Sequence, residues 1–279
     1  MISDNEENFS YFLDTIGAPI ILPKLTVRSF KFFADGSLGS RGACLIKPYS
    51  DLQNKHYGQL LTNINEYQSK LELLHEYGFQ ACTHAIGDSA NREILNQYSN
   101  ILGGGNDLRW RIEHAQCVNP NDLHFFNDNN IIPSVQPTHA TSDFIWALTR
   151  IGKTRLQNCY QYSTLFKENQ LIALGTDFPV EGINPLHTFH AAVYRKNRRG
   201  KPIGGFQIEE SLKPIDALKG ITFWAALANF EENTKGSLEK GKFADFVVLN
   251  NEITTCKEQE ILKTKVLRTY INGEEVYKN

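Results

Sequence analysis

The stretch FQACTHAIGDSANREILNQYSNIL, residues 79–102, decides the fold class of this 279-residue chain. Its first six residues, Phe79–His84, form a short apolar run that ends in polar residues, which is typical of a buried strand. Ser89–Leu102 then place apolar side chains at helical spacing on one face, with Asp88 where a helix N-cap is expected. The stretch therefore predicts a strand that is followed directly by a helix.

The same strand-then-helix unit recurs along the central two-thirds of the chain. The other predicted strands are apolar, β-branched or aromatic runs that end abruptly in polar residues: Val27–Ala34, Arg109–His114, Ile131–Gln136 and Leu171–Asp177. Helical periodicity is found over Tyr57–Tyr77 and Pro214–Phe230, and Asn119 with Pro120 marks a further helix start. Alternating strands and helices predict an α/β fold, a parallel sheet covered by helices. In such folds the active site lies at the carboxyl ends of the strands.

The character of the sequence changes at about Thr234. A continuous apolar strand is predicted over Phe243–Leu249, and Val266–Tyr277 carries Asn272-Gly273 between two strand-like halves. Asn-Gly tolerates positive φ and is a strong signal for a hairpin. We therefore expect an α/β domain over residues 1–233 and a small β module over residues 234–279.

Composition excludes several classes of protein. With 29 Lys and Arg against 31 Asp and Glu, the chain is not a broadly basic nucleic-acid binder, and 17 Phe and 11 Tyr supply a core that a disordered chain lacks. Neither a signal peptide nor a run of ~18 apolar residues is found. Five scattered cysteines without CxxC spacing give no sign of a disulfide scaffold or a zinc knuckle. We expect a soluble, cytoplasmic, globular protein with no nucleic-acid or membrane partner.

Side chains that can ligate a metal lie at four predicted strand positions: Lys31, His84, His114 and Asp177. Imidazole and carboxylate groups suit zinc and similar divalent ions. A buried lysine with a lowered pKa can capture carbon dioxide as a carbamate, which then ligates like a carboxylate. Asp177 follows an apolar strand in GTDFP, where its carboxylate can touch a metal and exchange a proton with water activated there.

Further polar groups at strand ends are candidates for binding the substrate. Gln136 and His139 follow the strand that ends in SVQ, and satisfying loop backbone is an equally good explanation for both. The run DGSLGS, which begins with Asp35 and Gly36, could present backbone amides to an anionic or carbonyl group. A plain glycine-rich turn explains that run equally well.

Six runs, in the same order along the chain, resemble the metal-dependent amidohydrolase superfamily. Within that superfamily they resemble the amidohydrolase-3 group of YtcJ-like proteins and N-substituted formamide deformylases. The runs are Lys31–Leu45, Thr83–Leu95, Arg111–Gln116, Ser134–Asp143, Ala173–Leu186 and Gly236–Asn250. The resemblance implies a partial (β/α)8 TIM barrel, strands four to eight, followed by the C-terminal part of a flanking β-sandwich.

The resemblance also implies a role for each candidate residue. Lys31 corresponds to the lysine of the fourth barrel strand, which can be carbamylated, and His84 and His114 correspond to the metal-binding histidines of strands five and six. Asp177 corresponds to the aspartate of strand eight, a ligand and general acid/base. The implied reaction is hydrolysis of a C–N bond in a small amide-type, non-peptide substrate, with one or two divalent ions, zinc being expected.

The family's HxH motif of the first strand does not occur in this sequence. The resemblance therefore implies the C-terminal half of a longer amidohydrolase, which would associate as a homo-oligomer or with an N-terminal fragment. The alternative is a catalytically inactive remnant that acts as a structural or interaction module.

Overall fold

The computed structural model describes residues 1–22 and 25–279, which form two compact units. The first unit contains Met1–Ser134, Trp146–Gln161 and Glu168–Gln170. The second contains Val135–Ile145, Tyr162–Lys167 and Leu171–Asn279.

The strands, in chain order, are β1 (Ile2–Ser3), β2 (Ile20–Leu22), β3 (Leu25–Val27), β4 (Ser29–Phe33), β5 (Gln80–Ala85), β6 (Arg111–His114), β7 (Ile132–Val135), β8 (Ala173–Leu174), β9 (Phe246–Leu249), β10 (Val266–Ile271) and β11 (Glu274–Lys278). The α-helices are α1 (Glu6–Phe9), α2 (Ile64–Glu76), α3 (Asp88–Leu102), α4 (His124–Asp128), α5 (Pro137–Asp143), α6 (Ala147–Leu156), α7 (Tyr162–Asn169), α8 (Pro185–Tyr194), α9 (Pro214–Ile221), α10 (Phe223–Ala228) and α11 (Glu258–Ile261). A π-helical segment covers Ser10–Ile16, and 3-10 turns cover Pro120–Asp122 and Ile208–Glu210.

The first unit is built on a parallel sheet with the strand order β1-β4-β5-β6-β7. All four residues of β6 are buried, as expected for a strand covered on both faces. The sheet confirms the predicted α/β class. It also shortens one predicted strand, because Val27 pairs with Ile20 in the antiparallel pair β2–β3 and β4 begins only at Ser29.

Aromatic side chains cover one face of this sheet. Phe30 of β4 packs between Phe9 and Phe79, with ring centroids 4.5 Å and 5.4 Å away. Tyr67 and Tyr98 come from helices α2 and α3, and both hydroxyls are 2.7 Å from the Thr83 hydroxyl of β5. The buried hydroxyls are thus satisfied within an apolar layer, and alternate residues of the strands face the other way.

Two helices begin differently from the prediction. Helix α2 begins at Ile64 and not at Tyr57, because the Asn63 side chain accepts the amides of Asn65 and Glu66 as its N-cap. Helix α3 begins at Asp88, one residue before the predicted start, and Gly87 is its N-cap. The Asp88 carboxylate, expected to cap α3, accepts the Ile46 amide at 2.9 Å. A side chain therefore caps the start of α2, whereas α3 begins without a side-chain cap.

Two further predicted elements are shorter than their patterns indicated. The helix predicted over Pro214–Phe230 is divided at Thr222, whose φ and ψ of −128° and −90° are not helical. The strand predicted over Leu171–Asp177 is reduced to Ala173–Leu174, after which the Gly175 amide donates to Val135 O at 3.0 Å. Both segments are in the second unit.

The tail of the second unit forms a three-stranded antiparallel sheet in the order β11-β10-β9. Asn272 and Gly273 join β10 to β11 with φ values of 50° and 82°, so the hairpin predicted from this dipeptide is confirmed. Within the described residues, 1–22 and 25–279, no helix is long and apolar enough to cross a membrane.

A disulfide joins Cys117 to Cys159 within the first unit, although the scattered cysteine spacing gave no sign of one. The two residues form an isolated antiparallel bridge and are 42 positions apart. Cysteine spacing did not predict this disulfide because spacing detects only local motifs such as CxxC. The pairing depends instead on how the chain folds back after β6. Cys44, Cys82 and Cys256 are free thiols.

Removing this disulfide is expected to destabilise the first unit. Closing a loop of this length restricts the unfolded chain, and the double variant Cys117→Ala/Cys159→Ala should lower the free energy of unfolding by about 2–4 kcal/mol. Urea denaturation under non-reducing conditions measures the difference, with Cys256→Ser as the control. A double variant as stable as the control would show that the crosslink contributes nothing.

Candidate functional site

The face of the first unit's sheet opposite the aromatic layer carries polar side chains. Lys31 of β4 is in register with Cys82 of β5, and Cys82 with Arg111 of β6. One row further along, His84 is in register with Glu113. Because these positions alternate with the aromatic ones, the same two-residue period that builds the core also collects the chemical groups on one face.

His84 and His114 meet at the carboxyl ends of β5 and β6, with ring centroids 4.5 Å apart. Regular alternation would place His114 on the same side as the buried Ile112. Instead, His114 and Ala115 have positive φ values of 74° and 40°, which break the alternation and turn the imidazole toward His84. Such backbone is rare outside glycine and is found at functional sites.

Buried charge surrounds the lysine of this face. Lys31 Nζ lies 4.9 Å from the centroid of the Phe33 ring. Arg111 Nε donates to Glu113 Oε1 at 2.9 Å, and both side chains are about nine-tenths buried. Burial acts to raise the pKa of Glu113, but the cations of Arg111 and Lys31 outweigh it and hold this pKa below its ordinary value. Glu113 is therefore an anion beside Lys31.

The Asp35 carboxylate is buried and surrounded by backbone amides. Its carboxylate accepts from the amides of Cys44, Ile86 and Gly87 at 2.8–3.0 Å, and its side chain has no exposed surface. Burial raises the pKa of Asp35 to about 7, against the lowering effect of the three amides. His84 Nε2 is 3.5 Å from Asp35 Oδ1. This enclosure favours a structural role for Asp35 over the predicted contact with substrate.

The glycine-rich run after Asp35 uses its amides internally. The Gly36 amide donates to Gly42 O at 3.3 Å, and those of Arg41 and Gly42 donate to Leu38 O and Ser37 O. A Cβ on Gly36 would come within 3.2 Å of Gly42 Cα, so a side chain here would require the two backbones to move apart by a few tenths of an ångström. Because these amides already donate within the loop, the bonds favour a glycine-rich turn over a substrate-binding loop as the explanation of DGSLGS.

Asn91 was not singled out by sequence reasoning, yet it ties two strand ends together. Its Nδ2 donates to Ala85 O, Gly87 O and Cys117 O at 3.0–3.1 Å, and the residue is fully buried. The available signal was its place on the apolar face of α3, in line with Ile94, where an amide needs buried partners.

In the second unit, a histidine and a carboxylate, His139 and Asp177, also lie close together. His139 Nε2 is 3.7 Å from Asp177 Oδ2, and Asp177, three residues after the end of β8, has φ 54°. Burial lowers the pKa of His139, against the raising effect of Asp177 and Glu181. Gln136 is the N-cap residue of α5, and its carbonyl accepts from the Tyr162 hydroxyl at 3.1 Å. About a third of the Asp177 side chain is exposed, so solvent reaches the carboxylate.

Both units, each taken by itself, contain donors that divalent metals prefer. The first unit collects Lys31, His84 and His114 on one face, with Asp35 behind His84, and the second pairs His139 with Asp177. Imidazole nitrogen and carboxylate oxygen are the zinc ligands of hydrolytic sites. The donor chemistry of the residues present fits a divalent metal.

Comparison with known proteins agrees with this chemistry. Residues 15–277 match the model of the Amidohydrolase family. The chain belongs to this family. It is 36% identical over 250 residues to Protein LONG AFTER FAR-RED 3 of Arabidopsis thaliana, covering 88% of this chain and 42% of that protein. It is 30% identical over 257 residues to Putative amidohydrolase YtcJ of Bacillus subtilis, covering 91% and 48%.

A solved structure gives the same result for the fold. An uncharacterized metal-dependent hydrolase from Pyrococcus horikoshii superposes with a TM-score of 0.78 at 31% identity, covering 88% of this chain and 49% of that one. The resemblance to the amidohydrolase-3 group is thereby confirmed. The chain spans less than half the length of these two curated relatives.

Asn91→Ala is expected to destabilise the first unit by about 2 kcal/mol or more, because buried carbonyls at the ends of β5 and β6 lose their donor. Asn100→Ala, an exposed asparagine of the same helix, is the matched control and should change stability by less than about 0.5 kcal/mol. Chemical denaturation compares the two. Equal effects would show that the amide does not hold the strand ends.

Proposed function

We propose that this chain carries a metal-dependent hydrolase site that cleaves a C–N bond in a small amide-type, non-peptide substrate. The observation that carries the proposal is the His84–His114 pair, which the left-handed backbone of His114 brings together at two adjacent strand ends. Lys31 lies on the same face of the sheet. The family assignment supports metal-dependent hydrolysis as the chemistry.

In this proposal Lys31, His84, His114 and Asp177 hold one or two divalent ions, zinc being expected. When bound, the metal supplies the Lewis acidity that makes water a nucleophile near neutral pH. The proposed ligands are nitrogen and carboxylate donors, the set that zinc hydrolases use.

Asp177 is the proposed general acid/base. Its carboxylate is partly exposed, so it can take a proton from the attacking water and deliver that proton to the leaving amine. His139, 3.7 Å from it, and Gln136 are the proposed substrate-side groups. Asp35 and Gly36 build the loop beside His84.

The proposed organisation follows the resemblance. Residues 1–233 would form the barrel portion, strands four to eight, and residues 234–279 the C-terminal part of a β-sandwich, for which the antiparallel sheet β9–β11 is the support. A homo-oligomer or an N-terminal fragment would be the protein partner, and the cytoplasm the compartment.

A second candidate function is an inactive remnant that serves as a structural or interaction module. The observation in its favour is that the sequence contains no HxH motif, which in the resembled family supplies two further ligands. The two candidates differ in whether amide hydrolysis appears when a fragment bearing the first three barrel strands is added.

Metal content decides first between them. Protein purified without chelators or a His tag should contain about one or more zinc-like ions per chain by plasma mass spectrometry. His84→Ala and His114→Ala should each lose most of this metal, because each removes an imidazole ligand. His124→Ala, an exposed histidine on α4, is the control and should keep it. A folded wild-type chain without metal would contradict the hydrolase proposal.

Asp177→Asn tests the proposed role of Asp177 as ligand and general acid/base. The variant should stay folded and lower amide hydrolysis by about 10²–10⁴-fold, because the amide cannot shuttle a proton. Rates are measured on the chain with any fragment needed for activity. Undiminished turnover in this variant would remove Asp177 from the mechanism.

A further inference from the structure

The carboxylate of Asp35 links its own segment, directly after β4, to two other segments of the first unit. Its oxygens accept amides from Cys44, beyond the glycine-rich loop, and from Ile86 and Gly87, in the turn after β5. Burying a carboxylate is costly unless hydrogen bonds compensate. Three amides supply that compensation, and the side chain has no exposed surface.

The same carboxylate also lies against a candidate metal ligand. Asp35 Oδ1 accepts the Ile86 amide at 3.0 Å and is 3.5 Å from His84 Nε2. His84 and Ile86 are two residues apart, so one oxygen contacts both the imidazole and the backbone of the turn that follows it. The imidazole thus lies beside a carboxylate that backbone amides hold in place.

The space around this turn is tightly filled. A Cβ on Gly87 would come within 1.9 Å of Cys44 O. The loop backbone at Cys44 and the turn after β5 are therefore in direct contact. Asp35 binds an amide on each side of that contact. Its position is therefore fixed by the fold independently of His84, which lets it act as a rigid reference for the imidazole.

We propose that Asp35 is a positioning residue that fixes the orientation of the His84 imidazole toward the metal, and that it does not contact substrate. The inference rests on the proposed function for His84 as a ligand. Carboxylates that hold the second nitrogen of a metal-ligating histidine set its tautomer and ring orientation. Asp35 thus acts through His84.

Asp88 is a matched control within the same pair of loops. Its carboxylate accepts the Ile46 amide at 2.9 Å, so it anchors backbone near Cys44 as Asp35 does. Asp35→Asn and Asp88→Asn both keep an acceptor oxygen and remove a charge. A general effect on the loop structure should change the His84 signal and the metal affinity in both variants. Loss of His84 positioning should change them only in Asp35→Asn.

The first readout needs no metal. In the wild-type, metal-free chain, ¹⁵N imidazole NMR should show His84 protonated at Nε2, the nitrogen that faces Asp35, with the signal assigned by its loss in His84→Gln. Asp35→Asn should change this tautomer signal and Asp88→Asn should leave it. A wild-type His84 protonated at Nδ1 alone would overturn the inference, even if the variants did not fold.

The second readout is cobalt(II) affinity, measured by titration of the metal-free chain. Asp35→Asn should weaken it by about 10–100-fold, as for other residues that support a metal-ligating histidine, while Asp88→Asn stays near wild type. Equal weakening in both variants would overturn the inference in favour of a general loop effect. If wild type binds no cobalt, the proposed function fails, and the NMR tautomer alone decides the role of Asp35.

Discussion

The parallel pairing of β4, β5 and β6 is the constraint on which the rest of the structure depends. Its register places Lys31 beside Cys82 and His84 beside Glu113, while Phe30 and Thr83 face the helices. Core and site therefore lie on opposite faces of the same strands. A slip of one residue would place the charged groups in the aromatic layer and the aromatic side chains on the polar face. The aromatic layer and the polar face stabilise the same register from opposite sides.

The turns that follow these strands are held from inside by polar side chains. Asn91 binds three carbonyls and Asp35 binds three amides, and the Cys117–Cys159 disulfide ties the segment after His114. Loop backbone is ordinarily satisfied by water at the surface. Here buried groups replace that water, so the ends of β5 and β6 keep one conformation and the two histidines keep their separation.

The sequence predicted the α/β class, β4–β7 and the Asn272-Gly273 hairpin because each depends on local periodicity or on turn chemistry. It misplaced the start of α2, where the side chain of Asn63 ends an otherwise helical pattern, and it missed the break at Thr222. The disulfide and the enclosure of Asp35 could not be predicted, since both depend on residues far apart in the chain. For the candidate site, sequence named the histidines, but the left-handed turn that brings His114 to His84 is visible only in three dimensions.

The buried charges also bear on the choice between a hydrolase and a structural remnant. Arg111, Glu113 and Asp35 are almost fully buried on or beside the polar face. Apolar side chains of similar volume are often equally stable or more stable at such positions, by about 1–4 kcal/mol where buried ion pairs have been replaced. A module selected only to pack would gain from that replacement. The buried charges next to two histidines and a lysine therefore support the hydrolase proposal over a module selected only to pack.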